Sequence, residues 1–289
     1  MEGLKKLFLP ITATLGFIQK YFKSMLFLLL LFILFAPAGD QKLIPNNLQE
    51  IKLTGPIFDT SEVVKELDKA REDEQIKGVL FTVDSPGGAV SPSIEVMQAI
   101  KRLKEEKPVV VYAAGVLASG SYYASIWADE IIANPGSMVG SIGVILQGAD
   151  LSELMDKVGI KTQVVKAGKY KQVGTADREW SPEEKRELEK VIQGTYKMFV
   201  HDVATARNLD EKRSDLYADA HIFTARQAKE VGLIDTLGVA YDARKRVEIL
   251  SEVEKPLWNK EDKFDKLMKK FAAETSLMLH TYFPPVSLR

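Results

Sequence analysis

The chain has no cysteine, which excludes disulfides, thiolate-ligated zinc and a thiol nucleophile. Nor does it carry an excess of charge of one sign. The formal net charge is −1, 39 Lys and Arg against 40 Asp and Glu, so there is no basic footprint for a nucleic acid. Histidine is scarce. Of the three, His201 falls within a long predicted helix, His221 precedes the β-like pair Ile222-Phe223, and His280 is near the tail. None is in a glycine-rich turn, so a surface or packing role is the plainer reading for each. A triad still does not require neighbours in sequence. Internal repeats are absent, as are low-complexity tracts beyond one N-terminal apolar stretch. What is present, 46% hydrophobic and 27% charged residues over 289 positions, is the balance of a globular core with a solvated surface.

The uncharged run Met25–Ala38 is shorter than the ~20 residues a spanning helix needs. Extended back to Leu15 it reaches that length, with Lys20 and Lys23 snorkelling toward the headgroups. Lys5, Lys6, Lys20 and Lys23 precede it, which holds the N-terminal side in the cytoplasm and exports the remainder. Ala36-Pro-Ala38 has the small-x-small form of a cleavage site, so a removable signal peptide is the alternative; both place residues 45–289 outside. The favoured division is residues 1–38 as cytoplasmic N-terminus and transmembrane anchor, 39–47 as linker, 48–250 as catalytic domain and 251–289 as tail. Localisation follows as the inner (cytoplasmic) membrane, single-pass, with the domain on its outer side.

Beyond the linker, short apolar strands alternate with helices. Strands are predicted at Leu48–Ile57, Gly78–Val83, Val109–Ala114, Glu130–Ala133 and Lys161–Val165. Helices are predicted at Ser61–Glu72 with Ser61 as cap, Ser91–Leu103, Ser121–Ala128, Leu151–Val158, a long one opened by the capping box Ser181-Pro-Glu-Glu184, Ala225–Val231 capped by Thr224, and Val239–Leu250. The pattern implies an α/β fold with a largely parallel sheet built through crossovers. A basic amphipathic helix, Lys260–Phe271, ends the chain, suited equally to packing on protein and to a membrane surface.

Three glycine-bearing turns follow predicted strands: Asp84-Ser-Pro-Gly-Gly88, Ala118-Ser-Gly-Ser121 and Gly136–Gly143. In a parallel sheet such turns share one edge, where ligands bind. Ser119 follows a strand and precedes a helix start, the place where an α/β protein exposes a nucleophile. The amides of Gly87, Gly88 and Gly120 are candidate donors to an oxyanion. With histidine disfavoured, lysine can serve as the base instead. A lysine does this work only when its pKa falls from about 10.4 to roughly 7–8, about 4 kcal/mol of destabilised ammonium. Burial beside a hydroxyl and away from carboxylates achieves that. Lys166, Lys169 and Lys171 are the candidates, and spacing alone leaves each equally readable as a solvated surface lysine.

Four segments in this order and spacing, Asp84-Ser-Pro-Gly-Gly88, Ala118-Ser-Gly-Ser-Tyr-Tyr123, Gly140-Ser-Ile-Gly-Val144 and Gly168-Lys-Tyr-Lys171, make the chain resemble the signal peptide peptidase A family. These are membrane-bound serine proteases of the ClpP/crotonase superfamily, and the resemblance covers most of residues 48–250. It implies repeated β-β-α units, Ser119 as nucleophile, Lys171 as general base and acid, Ser141 orienting the lysine, and Gly88 with Gly120 as the oxyanion hole, Gly87 supporting them. It implies no metal and no cofactor. The implied substrates are remnant signal peptides and other short hydrophobic peptides, met at the lipid surface. As a short form, the chain is expected to be a homo-oligomer, an octameric ring, whose serine and lysine meet across subunits. Ser121 departs from the family, which often has glycine there, as does Gln172 after the lysine. Three alternatives stand beside this reading: a Ser–Lys protease with a dedicated membrane-protein substrate, a crotonase-type acyl-CoA enzyme, and a non-catalytic membrane scaffold.

Overall fold

The computed structural model describes residues 19–28 and 46–259. Residues 19–28 are helical (α1) and exposed, and they belong to a separate compact unit from the one that begins at Asn46. Among the described residues no helix is long and apolar enough to cross a membrane. Most of the anchor predicted over 25–38, residues 39–45 of the linker, and the amphipathic helix predicted over 260–271 lie outside the described residues.

The second unit is built on a sheet of seven strands. In chain order they are β1 (Leu48–Thr54), β2 (Gly78–Ser85), β3 (Val109–Ala118), β4 (Glu130–Ala133), β5 (Met138–Gly140), β6 (Ile222–Thr224) and β7 (Thr236–Leu237). The central path β1-β2-β3-β4-β7 is parallel throughout. β5 pairs in parallel with the last residues of β3, and only β6, against β5, is antiparallel. The expected α/β architecture with a mostly parallel sheet is therefore what the chain adopts. A strand covered on both faces needs apolar side chains at successive positions. β2 and β3 supply them: Val79, Phe81, Val83, Val109, Val111 and Ala113 enter the larger core, Leu80, Val110 and Tyr112 the smaller one.

Helices cover both faces. On the larger side lie α2 (Ser61–Glu72), α3 (Val90–Lys104), α4 (Gly120–Ser125), α6 (Pro182–Arg207) and α7 (Ala225–Glu230). On the smaller side α8 (Ala240–Leu250) buries Ala243 and Val247. Two sequence expectations change. Ser61 is the first residue of α2, not its cap; Thr60 holds the cap position but makes no capping bond, its hydroxyl donating instead to the Pro92 carbonyl at 3.1 Å, while Ser61 donates through its amide and hydroxyl to Asp59. Lys161–Val165 forms no strand, because no sheet edge reaches it: Val165 is fully exposed and Val164 about half. The short helix before it, α5 (Ser152–Lys157), forms as expected but buries no residue.

The 26-residue α6 starts at the predicted capping box. Glu184 accepts the Ser181 amide at 2.9 Å, and Ser181 Oγ accepts the Glu184 amide at 3.3 Å. Arg178 grips the same carboxylate with both terminal nitrogens, at 2.6 and 2.8 Å. These bonds, Arg178 first and the Ser181 amide second, pull the Glu184 pKa from an ordinary 4.5 down to about 2. A carboxyl whose pKa is lower folded than unfolded stabilises fully above its unfolded value and ceases to do so as pH falls through the folded one. Glu184→Gln should thus lower the melting midpoint by a few degrees at neutral pH. The gap between variant and wild type should shrink below about pH 4.5 and close near pH 2. Thermal melts across that range test it; a constant gap would mean the charge is not what stabilises the cap.

Candidate active site

β3 carries the site, because its upper end leaves the regular ladder. Val83 of β2 lies opposite Ala113, but Ser85 lies opposite Leu117, so β3 bulges between them. The bulge is held by Asp84, whose Oδ1 accepts the Val116 amide at 2.8 Å. Beyond the bulge, Val116–Ala118 has β5 as its neighbour where Val110–Ala113 had β4, and Ser119 follows immediately.

Ser119 has φ 53° and ψ −125°. A left-handed φ on a residue with a Cβ stores strain of about 1–3 kcal/mol, which surrounding structure must sustain. It does so here through backbone bonds. The Ser119 amide donates to Gly140 at 2.8 Å, and its carbonyl accepts the Tyr123 amide at 3.0 Å, starting α4. Ser141, also left-handed at φ 51°, follows that Gly140 and is fixed by donating its amide to the His221 carbonyl at 2.7 Å. Adjacent strands thus bring Ser119 and Ser141 together.

The turn after β2 packs backbone against backbone on this elbow. A Cβ added at Gly87 would stand 2.5 Å from the Gly120 nitrogen, and one at Gly88 would stand 2.1 Å from the Ile57 carbonyl. Neither position tolerates a side chain. The turn is anchored by Ile57 donating to Gly87 at 2.9 Å and Ala89 donating to Ile57 at 2.7 Å. Gly88 and Gly120 line one cavity with Ser119, and among the described residues neither amide donates to a protein acceptor. Two free donors beside a strained hydroxyl form an arrangement able to stabilise charge on a carbonyl oxygen.

That cavity holds about 80 Å³, roughly half of the ~150 Å³ apolar cavity that accepts benzene. Its walls are mostly apolar: Val90 from α3, Tyr123 from α4, Val144 and Ile145 after β5, and Phe199 from α6, with Ser93 and Thr195 adding hydroxyls. The Tyr123 and Phe199 rings pack with centroids 4.5 Å apart and planes tilted by 36°. The Tyr123 hydroxyl donates to Asp202, and burial, with that bond, pushes its ionisation well above the usual range. The sequence assigns none of these side chains to a wall, although Tyr123 and Val144 fall within its motifs; Thr195 and Phe199 reach the site only through tertiary packing.

Lys171 stands apart. It lies in the turns after Gly168, exposed, and is not among the residues lining the cavity. Lys166 and Lys169 are exposed in the same stretch. The same stretch exposes apolar side chains, Val164 at 53%, Val165 at 104% and Tyr170 at 41% of full exposure. His201 is a surface residue of α6 bonded to Glu211 at 3.0 Å, which raises its pKa. Among the described residues no group of acids and histidines is arranged to hold a metal.

Comparison with known proteins gives this geometry a family. The model of peptidase family S49 matches residues 101–254. A protein of Methanocaldococcus jannaschii provisionally named as a protease is 43% identical over 190 residues, 66% of this chain and 61% of that one. One from Synechocystis, also provisionally a protease, is 40% identical over 200 residues, 69% of this chain and 72% of the relative. A third, from Enterococcus faecium, provisionally named signal peptide peptidase SppA, is 33% identical over 212 residues, covering 68% and 62%. The chain thus spans less than two thirds of the length of the first and third of these relatives.

Proposed function

The chain belongs to peptidase family S49, and from that premise we propose that it is a serine peptidase in which Ser119 attacks a peptide carbonyl. The observation that carries the proposal is the strained Ser119 elbow with the two unengaged amides of Gly88 and Gly120 at the mouth of an apolar cavity. As the C–O bond forms, the two amides donate to the developing oxyanion. The serine proton passes to the amine of Lys171 and from there to the departing amine. Water then opens the acyl-enzyme by the reverse route.

In this reading Lys171 comes from a second copy of the chain. Within one copy it is exposed and outside the cavity lining, and the segment bearing it presents apolar side chains, Val164 and Val165 among them, that none of the described residues covers. A neighbour's elbow would bury the amine beside Ser119 and Ser141, the dry setting a lysine base requires. A closed ring satisfies every site by the same contact; an octamer fits the family resemblance. The apolar cavity favours hydrophobic peptides, signal peptides left in the membrane among them. The uncharged N-terminal run would keep the outward-facing domain at the lipid that holds them.

The cavity makes the proposal testable by substrate preference. The full chain should hydrolyse peptide esters with Ala, Val or Leu before the scissile bond in preference to Phe or Trp, by roughly ten- to a hundredfold in kcat/KM. Phe199→Leu, which shortens one wall, should narrow that gap by admitting the aromatic esters. A panel of esters compared by kcat/KM provides the measurement. Absence of turnover, or equal turnover of all side chains, would sink the assignment.

A further inference from the structure

Resting on the reading of Ser119 as nucleophile, we infer that Ser121 is a positioning residue, whose hydroxyl locks the oxyanion turn to the nucleophile elbow. Ser121 is the second hydroxyl of the elbow, and it is not a spare nucleophile. It is fully buried and does not line the cavity. Its Oγ accepts the Ala118 amide at 2.9 Å and donates to the Ser85 carbonyl at 2.7 Å, with the Ala118 carbonyl, also at 2.9 Å, as the other acceptor in reach. These bonds fall just beyond the β2–β3 register shift, at the ladder pair Ser85–Leu117, so one side chain reinforces the strand contact where it resumes after the bulge.

Ser85 continues the chain of bonds. Its own hydroxyl, also fully buried, donates to the Gly55 carbonyl at 2.6 Å and accepts the Gly87 amide at 3.2 Å. Buried hydrogen bonds run from Ala118, the residue before the nucleophile, through Ser121 and Ser85 to Gly87, the residue before one oxyanion donor. Beside the Asp84–Val116 bond and the Ser85–Leu117 pair the two segments meet through glycine backbone, so this connection helps to set the distance between the Gly88 amide and Ser119. Removing the Ser121 hydroxyl takes a buried hydrogen-bond partner from the Ala118 N–H and another from the Ser85 carbonyl, which loosens the two segments.

The test uses the 289-residue chain with a short aliphatic peptide ester and a fluorophosphonate, comparing wild type, Ser119→Ala, Ser121→Ala and Ser121→Thr. Ser121→Ala should lower kcat by roughly ten- to a hundredfold, the scale on which small misplacements cost rate. KM should change less than about twofold, because the cavity walls are untouched. Labelling of Ser119 should slow in proportion, and Ser121→Thr, which keeps the hydroxyl, should recover most of both. A merely structural serine would lower the melting midpoint yet leave kcat unchanged well below it; that result overturns the inference. If Ser121→Ala or Ser121→Thr does not fold, Ser85→Ala, which cuts the next bond, must show the same loss of kcat at steady KM, and an unchanged kcat there also overturns it. Wild type indistinguishable from Ser119→Ala would instead remove the nucleophile, and with it any positioning role.

Discussion

Ser119→Ala is expected to abolish ester and peptide hydrolysis, by about 10⁴- to 10⁶-fold in kcat, the range seen when a serine nucleophile is deleted. Covalent labelling by a fluorophosphonate should vanish with it, while Ser121 and Ser141 remain unlabelled. Folding should survive, because the elbow is held by main-chain bonds from Ser119 to Gly140 and Tyr123, which alanine keeps. Ser119→Gly sharpens the point. With φ at 53°, glycine relieves a strain of about 1–3 kcal/mol, so this variant should be equally inactive and melt a few degrees higher than the alanine variant. Turnover retained in either variant, or label found on another serine, would end the assignment of Ser119.

Loss of the amine at Lys171 should be nearly as costly. Lys171→Ala removes the base, and Lys171→Arg replaces it with a group that does not give up its proton in proteins; both should lose at least about a thousandfold in kcat. A mixing experiment then tests where the lysine comes from. When Ser119→Ala and Lys171→Ala chains are co-expressed in equal amounts, sites built from one serine and a neighbour's lysine reassemble by chance. About a quarter of wild-type activity should return in a closed ring. If both partners came from the same chain, no mixture would recover any activity. Lysine variants that remain fully active would overturn the Ser–Lys pairing itself.

Much of the fold was legible because the buried strands announce themselves. Val79 to Val83 and Val109 to Ala113 are continuous apolar runs bounded by turn residues, the pattern of strands covered on both faces. The caps at Ser181 and Thr224 were equally plain, since each places an oxygen-bearing side chain three residues before a Glu or Gln. What failed was local pattern without a partner. Thr162, Val164 and Val165 give the predicted strand Lys161–Val165 its β-branched composition, yet the sheet ends elsewhere. β5 and β6, three residues each, are too short to show a period, although β5 is the strand that seats Ser141. The serine elbow and its glycines were readable from strand–turn–helix spacing. Lys171 was singled out by family resemblance, and its exposure in the single chain has no sequence signature. The walls contributed by α6 depend on packing between segments some eighty positions apart, which no window of sequence reports.

The two amides facing the cavity are main-chain groups, Gly88 and Gly120. A conventional alanine scan cannot delete them; it only inserts a methyl into contacts that have no space for one. Replacement of Gly87 or Gly88 should therefore score as misfolding in any mutational survey, concealing a chemical contribution beneath a steric one. Exchanging a single amide for an ester linkage, which removes the N–H and leaves the shape, is the perturbation that separates the two.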